Sequence, residues 1–446
     1  MKRVQQFLLI SFVVLGVLGS FKVAQAASYY VDSTSGSDSN SGTSSAAPWK
    51  SLGKVNSTAF QAGETINFKR GSIWTGTTLV IDSSGVAGNP VTYQAYGTGN
   101  RPEIVAPSGN WQTSINVTGD WNVVKDFLLR DGHQAGIQLS PGGDHNTVQD
   151  IEVTNAGFGV FIQGQYNLIT RNYVHDTKII VSDATPSNDY GATCYWIEAP
   201  NNEVSYNRGI NCRAPSIDFG YDGGFVEVWR QGDNSYIHHN YAENTNGFFE
   251  LGASGSGSAQ NIKVAYNVIV NVTGPGSGTS ICFNTGSYNI NVTGFKFENN
   301  TFVSRSGHPD AYRVFGCRSD LTFLQLRNNI FYSDIQIASN GASTHTNNLY
   351  YMVNMVSGSG IGYSLGSGEK TGNPLFVNVA VVDLSLLDLR LLALSPAIDA
   401  GIDLGYSEDF EGKTVPAGSA PDLGAYEYAG SSPLPSPPIQ LRVLSP

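Results

Sequence analysis

"QGQYNLITRNYVHDT" (163–177) holds two short apolar strands, each approached through an asparagine turn. The same unit returns as "EAPNNEVSYNRGINC" (198–212), "QGDNSYIHHNYAENT" (231–245) and "SAQNIKVAYNVIVNV" (258–272), and precedes itself as "GGDHNTVQDIEVTNAG" (142–157). Aligned on their asparagines, the units put Asn146, Asn167, Asn202, Asn234 and Asn261 at one place, with Asn207, Asn240 and Asn267 at a later one. Apolar residues alternate with period two, and no helical stripe is present. Repeats of this length cannot bury an apolar face alone, so they stack as coils of a parallel β-solenoid. The asparagines are turn chemistry that informs on fold, not on activity.

Composition agrees. The chain has 446 residues with 51 glycines and only 14% charged residues, which suits many short strands and turns. Its formal net charge is -11, and no lysine- or arginine-rich run offers a nucleic-acid face. Lys2 and Arg3, the apolar stretch "FLLISFVVLGVLG" (7–19) and "AQA" ending at Ala26 read as an export signal. The apolar run is short of the ~20 residues of a spanning helix. Removing the signal leaves 22 basic and 36 acidic residues, a net of -14. The expectation is a secreted or cell-surface bacterial protein with no membrane span once the signal is cleaved. Export permits disulfides. Cys194 with Cys212, and Cys282 with Cys317, sit where they can pair, and no CxxC or Cys/His zinc spacing occurs.

The chain resembles the right-handed parallel β-helix proteins of the pectate-lyase-like superfamily. The resemblance rests on the repeat, on "YYVDSTSGSDSNSGTSSAAPWKSLGKVN" (29–56), on "FQAGETINFKRGSIWTG" (60–76) with "SSGVAGNPVTYQAYGTGNRPEI" (83–104), and on the closing "LSPAIDAGIDLGYSEDFEGKTVPAGSAPDLGAYEY" (394–428). It implies an all-β, single-stranded right-handed parallel β-helix. The division expected is a signal at 1–26, the β-helix at 27–370, a C-terminal cap of the helix at 371–428, and a Pro/Ser-rich linker or tail at 429–446. The superfamily holds lyases, hydrolases, epimerases and non-catalytic proteins, so fold alone does not choose an activity.

The outward residues carry more. In "GIQLS", "GVFIQ", "CYWIE", "FVEVW" and "FFELG", alternation points Gln138, Phe161, Trp196, Glu227 and Glu250 away from the core, one above another. Phe283 in "SICFNTG" is a sixth candidate of uncertain phase. Aromatic rings beside acids suit a sugar: rings stack on its apolar face, and carboxylates bind hydroxyls, hold calcium or do acid–base work. Coils about 4.8 Å apart bring the two carboxyls close enough to raise one pKa. That gives one proton donor and one carboxylate, the pair glycoside hydrolysis uses. Insertions "TKIIVSDATPSNDYGA" (177–192), "CRAPSIDFGYDG" (212–223) and "TGPGSGTS" (273–280) precede these strands and can wall a groove. The middle one supplies Asp222 as a third acid, or as a turn residue. Arg230 ends the Glu227 strand and can clamp a carboxylate or pair at the surface. His133 is a candidate for a distal subsite. His238 and His239 fall on another face.

Three readings follow. A hydrolase would use Glu227, Glu250 and Asp222 catalytically on a polysaccharide substrate, with Trp196, Phe161, Gln138 and Arg230 binding it. A lyase would need calcium, held by Glu227, Glu250 and Asp222, to neutralise a uronate carboxylate. A non-catalytic glycan-binding or surface protein would use the same column as a strip.

Overall fold

A computed structural model describes residues 26–272, 279–284, 290–304, 313–318, 320–338, 344–353, 360–428 and 430. The expected signal, most of the 273–280 insertion and the tail lie outside the described residues. Among those described, no helix is long and apolar enough to cross a membrane.

The chain winds through three parallel sheets, two of twelve strands and one of ten. Each coil contributes one short strand to each sheet. What ends each strand is backbone geometry. Residues with positive φ recur at three corners: Trp121, His145, Tyr166 and Asn201 at the first; Asp150, Arg171, Tyr206 and His239 at the second; Asp131, Asn155, Asp176 and Asn211 at the third. Left-handed backbone costs an L-residue roughly 1–2 kcal/mol, least for Asn and Asp. At the first corner stacking offsets it. The rings of Trp121 and His145 lie 4.2 Å apart, and those of His145 and Tyr166 lie 5.0 Å apart, nearly parallel.

One residue after the second corner runs a buried column of asparagines. Asn172, Asn207, Asn240, Asn267, Asn300, Asn329 and Asn348 each pass a side-chain oxygen to the preceding coil. The amide of Asn240 shows the pattern. Its Oδ1 accepts from Asn207 N–H (2.9 Å) and Asn207 Nδ2 (3.1 Å). Its own Nδ2 donates to Val204 O (2.8 Å) and Asn267 Oδ1 (3.0 Å). Asn146, Asn167 and Asn202 form a second column at the first corner. Asn234 and Asn261 do not belong to it. They sit one residue earlier, at the positive-φ corner, and bond Asn201 and each other on the exposed side.

The interior is filled in register. Ile137, Val160, Tyr195, Val226, Phe249 and Ile281 stack on successive coils and are fully buried or nearly so. Each such side chain contributes about 1.5–3 kcal/mol. Phe283 belongs here: it pairs with Leu251 and points inward, so the outward neighbour of Glu250 is Cys282. Both cysteine pairs are joined, Cys194 to Cys212 and Cys282 to Cys317. Residues 376–426 place Leu389, Leu391 and Leu423 on the outer valines and leucines of one twelve-stranded sheet, against Val268, Val270, Val303 and Leu349. The C-terminal segment therefore runs along the side of the coils.

Asn240→Ala orphans the buried Asn207 donors and the Val204 carbonyl. It should cost about 3 kcal/mol or more in urea unfolding. Asn234→Gly, at an exposed corner with φ of 58°, should stay within about 0.5 kcal/mol.

Candidate functional site

The ten-stranded sheet carries the outward column expected from alternation. Gln138 pairs with Phe161, Phe161 with Trp196, Trp196 with Glu227, Glu227 with Glu250, and Glu250 with Cys282. No register shift separates the two glutamates, so their Cα atoms stand one coil apart, about 4.8 Å. Over this face lies a cleft of about 930 Å³. Glu227, Glu250, Asp222, Trp196 and Phe161 all line it; Gln138 and Arg230 do not. Gln138 instead donates to Gln163, which donates to Glu198. Arg230 takes a positive φ of 70° at the strand's end and turns into solvent, away from the cleft.

The two aromatic rings differ from expectation. Alternation makes Trp196 and Phe161 open platforms, yet each keeps only 5% of its surface exposed. The 177–192 insertion is the cause. Its strands Ile179–Val181 and Tyr190–Gly191 pair as a hairpin and set Ile180 and Tyr190 over the rings. Phe158 packs on Trp196 at 4.4 Å and on Phe161 at 5.2 Å between ring centres. The pair therefore forms a wall of the cleft. Trp229, two residues beyond Glu227 on the same face of its strand, packs at a tilt against Trp196, 5.6 Å between ring centres, and lines the cleft. Gly252 makes room for it: a Cβ there would meet the Trp229 ring at 2.6 Å. The same period-two alternation that exposes Glu227 marks Trp229.

The second insertion is also a hairpin, Ala214–Ser216 paired with Gly220–Asp222. Asp189 pins it to the first. Its carboxylate accepts from Ser182 Oγ (2.9 Å), Ser216 Oγ (2.7 Å) and Asp218 N–H (3.0 Å). Asp218 returns the bond, accepting from the N–H of Asn188 at 2.9 Å. Asp222 thus stands at the base of a braced wall, its Oδ1 accepting from Gly223 N–H at 2.7 Å.

Three acids gather under this wall, and all resist ionisation. Burial pushes Asp222 up to about 7, helped by the charges of Asp189 and Asp218 and opposed by the Gly223 bond. Burial and the charge of Asp222 push Glu250 up to about 8. Glu227 is raised well above the carboxylate range, by burial first and then by Glu250 and Asp222; Thr193 Oγ1 donates to it at 3.4 Å. Among the described residues lining the cleft there is no Lys, Arg or His to compensate, and Asp189 and Glu198 add further negative charge. Nor do any three His, Cys, Asp or Glu among the described residues converge as a metal site. The calcium set expected of Glu227, Glu250 and Asp222 is not among such groups. The Cys282–Cys317 disulfide closes the floor one coil beyond Glu250.

The histidines lie elsewhere. His238 contacts Glu203 at 3.1 Å, and His239 stacks between Tyr206 and Tyr266 on the second corner. His133 does not line the cleft; it accepts from the N–H of Trp111, which does. Trp229, Asp189, Glu198 and Trp111 are cleft residues that sequence reasoning missed.

No family model matches the chain. A curated relative, the lacto-N-biosidase of Bifidobacterium longum subsp. longum, is 34% identical over 146 residues, 30% of this chain. The match spans only 8% of that protein's length. Among solved structures, pectate lyase Pel9A superposes with a TM-score of 0.58 at 20% identity, covering 91% of this chain and 97% of its own. A rhamnogalacturonan lyase reaches a TM-score of 0.47 at 16% identity over 79% of this chain and 91% of its own. The extended superposition on Pel9A, with three all-parallel sheets, gives the chain the pectate-lyase-like right-handed parallel β-helix fold.

Proposed function

We propose that the protein is a glycoside hydrolase acting on a neutral polysaccharide or oligosaccharide, with Glu227 and Glu250 as its acid–base pair. The observation that carries this reading is the cleft itself: three proton-retaining acids against aromatic walls, with no cation among the described lining residues. A lyase must neutralise a uronate carboxylate before a base removes the neighbouring proton. Here an anionic chain would meet Glu198 and Asp189 with no cation among the described lining residues to offset them. The partial similarity to a lacto-N-biosidase, a glycosidase by name, supports the same side.

Burial raises the pKa of both glutamates; one of them, in either order, would hold its proton and donate it to the departing glycosidic oxygen. The other, as carboxylate, would attack the anomeric carbon or activate water. Asp222 would set the protonation of both through its charge. Trp229 would lie against the sugar ring next to the scissile bond. Export to the bacterial surface or medium fits such a substrate.

Glu227→Gln and Glu250→Gln should each lower kcat by about 10³-fold while binding persists, measured as reducing ends released from neutral and uronic polysaccharides. Absorbance from unsaturated uronides, sensitive to a calcium chelator, would sink the hydrolase and revive the lyase. Intact binding and no turnover by the wild type on any glycan would favour a binding protein.

Two pH effects follow. Activity should fall on the alkaline side as the trio loses its last proton. Asp222→Asn removes a charge that keeps protons on both glutamates, so the alkaline limb of the pH–rate profile should move down by roughly one unit. Stability responds as well. An unfolded Glu250 has the ordinary glutamate pKa near 4.5, and burial in the folded protein pushes it up to about 8. The folded state therefore binds more protons between these values, and stability falls as pH rises through that window. Glu250→Gln removes this titration, so its melting temperature should exceed the wild type's by a few degrees at pH 8 and match it near pH 4.

A further inference from the structure

Trp111 is the most exposed aromatic residue lining the cleft. It keeps 53% of its surface open, against 5% for Trp196 and Phe161. Its backbone is held in the left-handed region at φ 63°, outside the three corner columns where such residues recur. A bulky side chain there carries strain that persists only when its surroundings hold it. His133 does so. Its Nδ1 accepts the Trp111 N–H at 3.2 Å, and its ring meets the indole edge-on at 6.0 Å. A lone exposed tryptophan is unremarkable on a surface. One braced in a costly conformation on the rim of an acid-lined cleft is not.

Its position along the helix gives it meaning. Trp111 lies just before the strand Thr113–Val117, which pairs with Ala135–Leu139, then Phe158–Ile162, then Thr193–Ile197, then the Glu227 strand. Four coils separate them, about 19 Å at about 4.8 Å each. On the other side of the acids the described lining ends at the Cys282–Cys317 disulfide, on the next coil after Glu250 and its neighbour. Along the described lining the acids thus stand near one end, with Trp111 at the other.

We infer that Trp111 is an outer sugar-binding platform, that His133 positions it, and that the groove takes a neutral oligosaccharide whose longer arm runs from the acids toward Trp111. The flat indole suits the apolar face of a pyranose, and a lining with no cation among its described residues suits an uncharged chain. This rests on the function proposed above as to substrate class, but the platform is separable from the chemistry.

The test uses Glu227→Gln, which would bind without cutting, on immobilised cello-, xylo-, manno- and N-acetyllactosamine oligosaccharides graded from disaccharide to hexasaccharide. At least one series should be retained with affinity rising with length. Adding Trp111→Ala should cost about tenfold on the longest members and progressively less on shorter ones. Trp111→Phe should restore most of it, and His133→Ala should reproduce part of the length-dependent loss. Unchanged thermal midpoints would show that these variants fold. Equal loss at every length, no loss, or no binding to any series would overturn the platform. Length-dependent binding through Trp111 without cleavage by the wild-type protein would uphold the platform and overturn the hydrolase.

Discussion

Everything at this site depends on coils stacking without slip, and the buried asparagines enforce that. Each amide in the column from Asn172 to Asn348 bonds the backbone and side chain of its neighbour, so a displaced coil would strand donors in a dry interior. Hydrophobic stacking alone would tolerate some sliding. Directional bonds repeated at every coil do not. Because side chains alternate with period two, a one-residue slip would send Glu227 inward and Val226 outward. The column on the opposite side of the coil is thereby fixed by amides that never approach the cleft.

On this scaffold, chemistry comes from the insertions. Two glutamates in register on a bare sheet would sit in water, and their mutual repulsion would be screened. The 177–192 and 212–223 hairpins change that. Pinned through Asp189, they roof the aromatic half of the column and bring Asp222 beside the glutamates. Burial is the largest cause of the raised pKa of all three acids. The same walls that hide Trp196 and Phe161 therefore keep protons on Glu227 and Glu250. The cost falls on stability at high pH.

The sequence exposes the parts of this that repeat. Period-two alternation makes the column legible from Gln138 to Glu250, and the asparagine units make the solenoid legible. Errors arise where repetition fails. Aligned on asparagine identity alone, Asn234 and Asn261 look equivalent to Asn202, whereas Ser235 follows the corner in that coil. The phase of "SICFNTG" is ambiguous because Ser280, Ile281, Cys282 and Phe283 are all buried. The burial of Trp196 and Phe161 depends on how an insertion folds back, which has no period to read. Trp111 is hidden for a further reason: only its φ and its bond to His133 distinguish it from any surface tryptophan.

The contrast between Trp229 and Trp196 shows how the two sources of information combine. Both rings project from the same face of adjacent strands, so alternation treats them alike. Trp196 is locked from behind: its Nε1 donates to Glu198 at 3.0 Å, and Phe158 and Tyr190 cover it. Trp229 has Gly252 beyond it, and the missing Cβ lets the indole lie across the next coil, the one that carries Glu250. A glycine within a strand is usually a weakness. Here it creates the only kind of space that a regular solenoid cannot otherwise supply, a notch one side chain deep beside the acids. Placing a flat ring in that notch sets an apolar surface next to carboxyls that burial keeps from ionising.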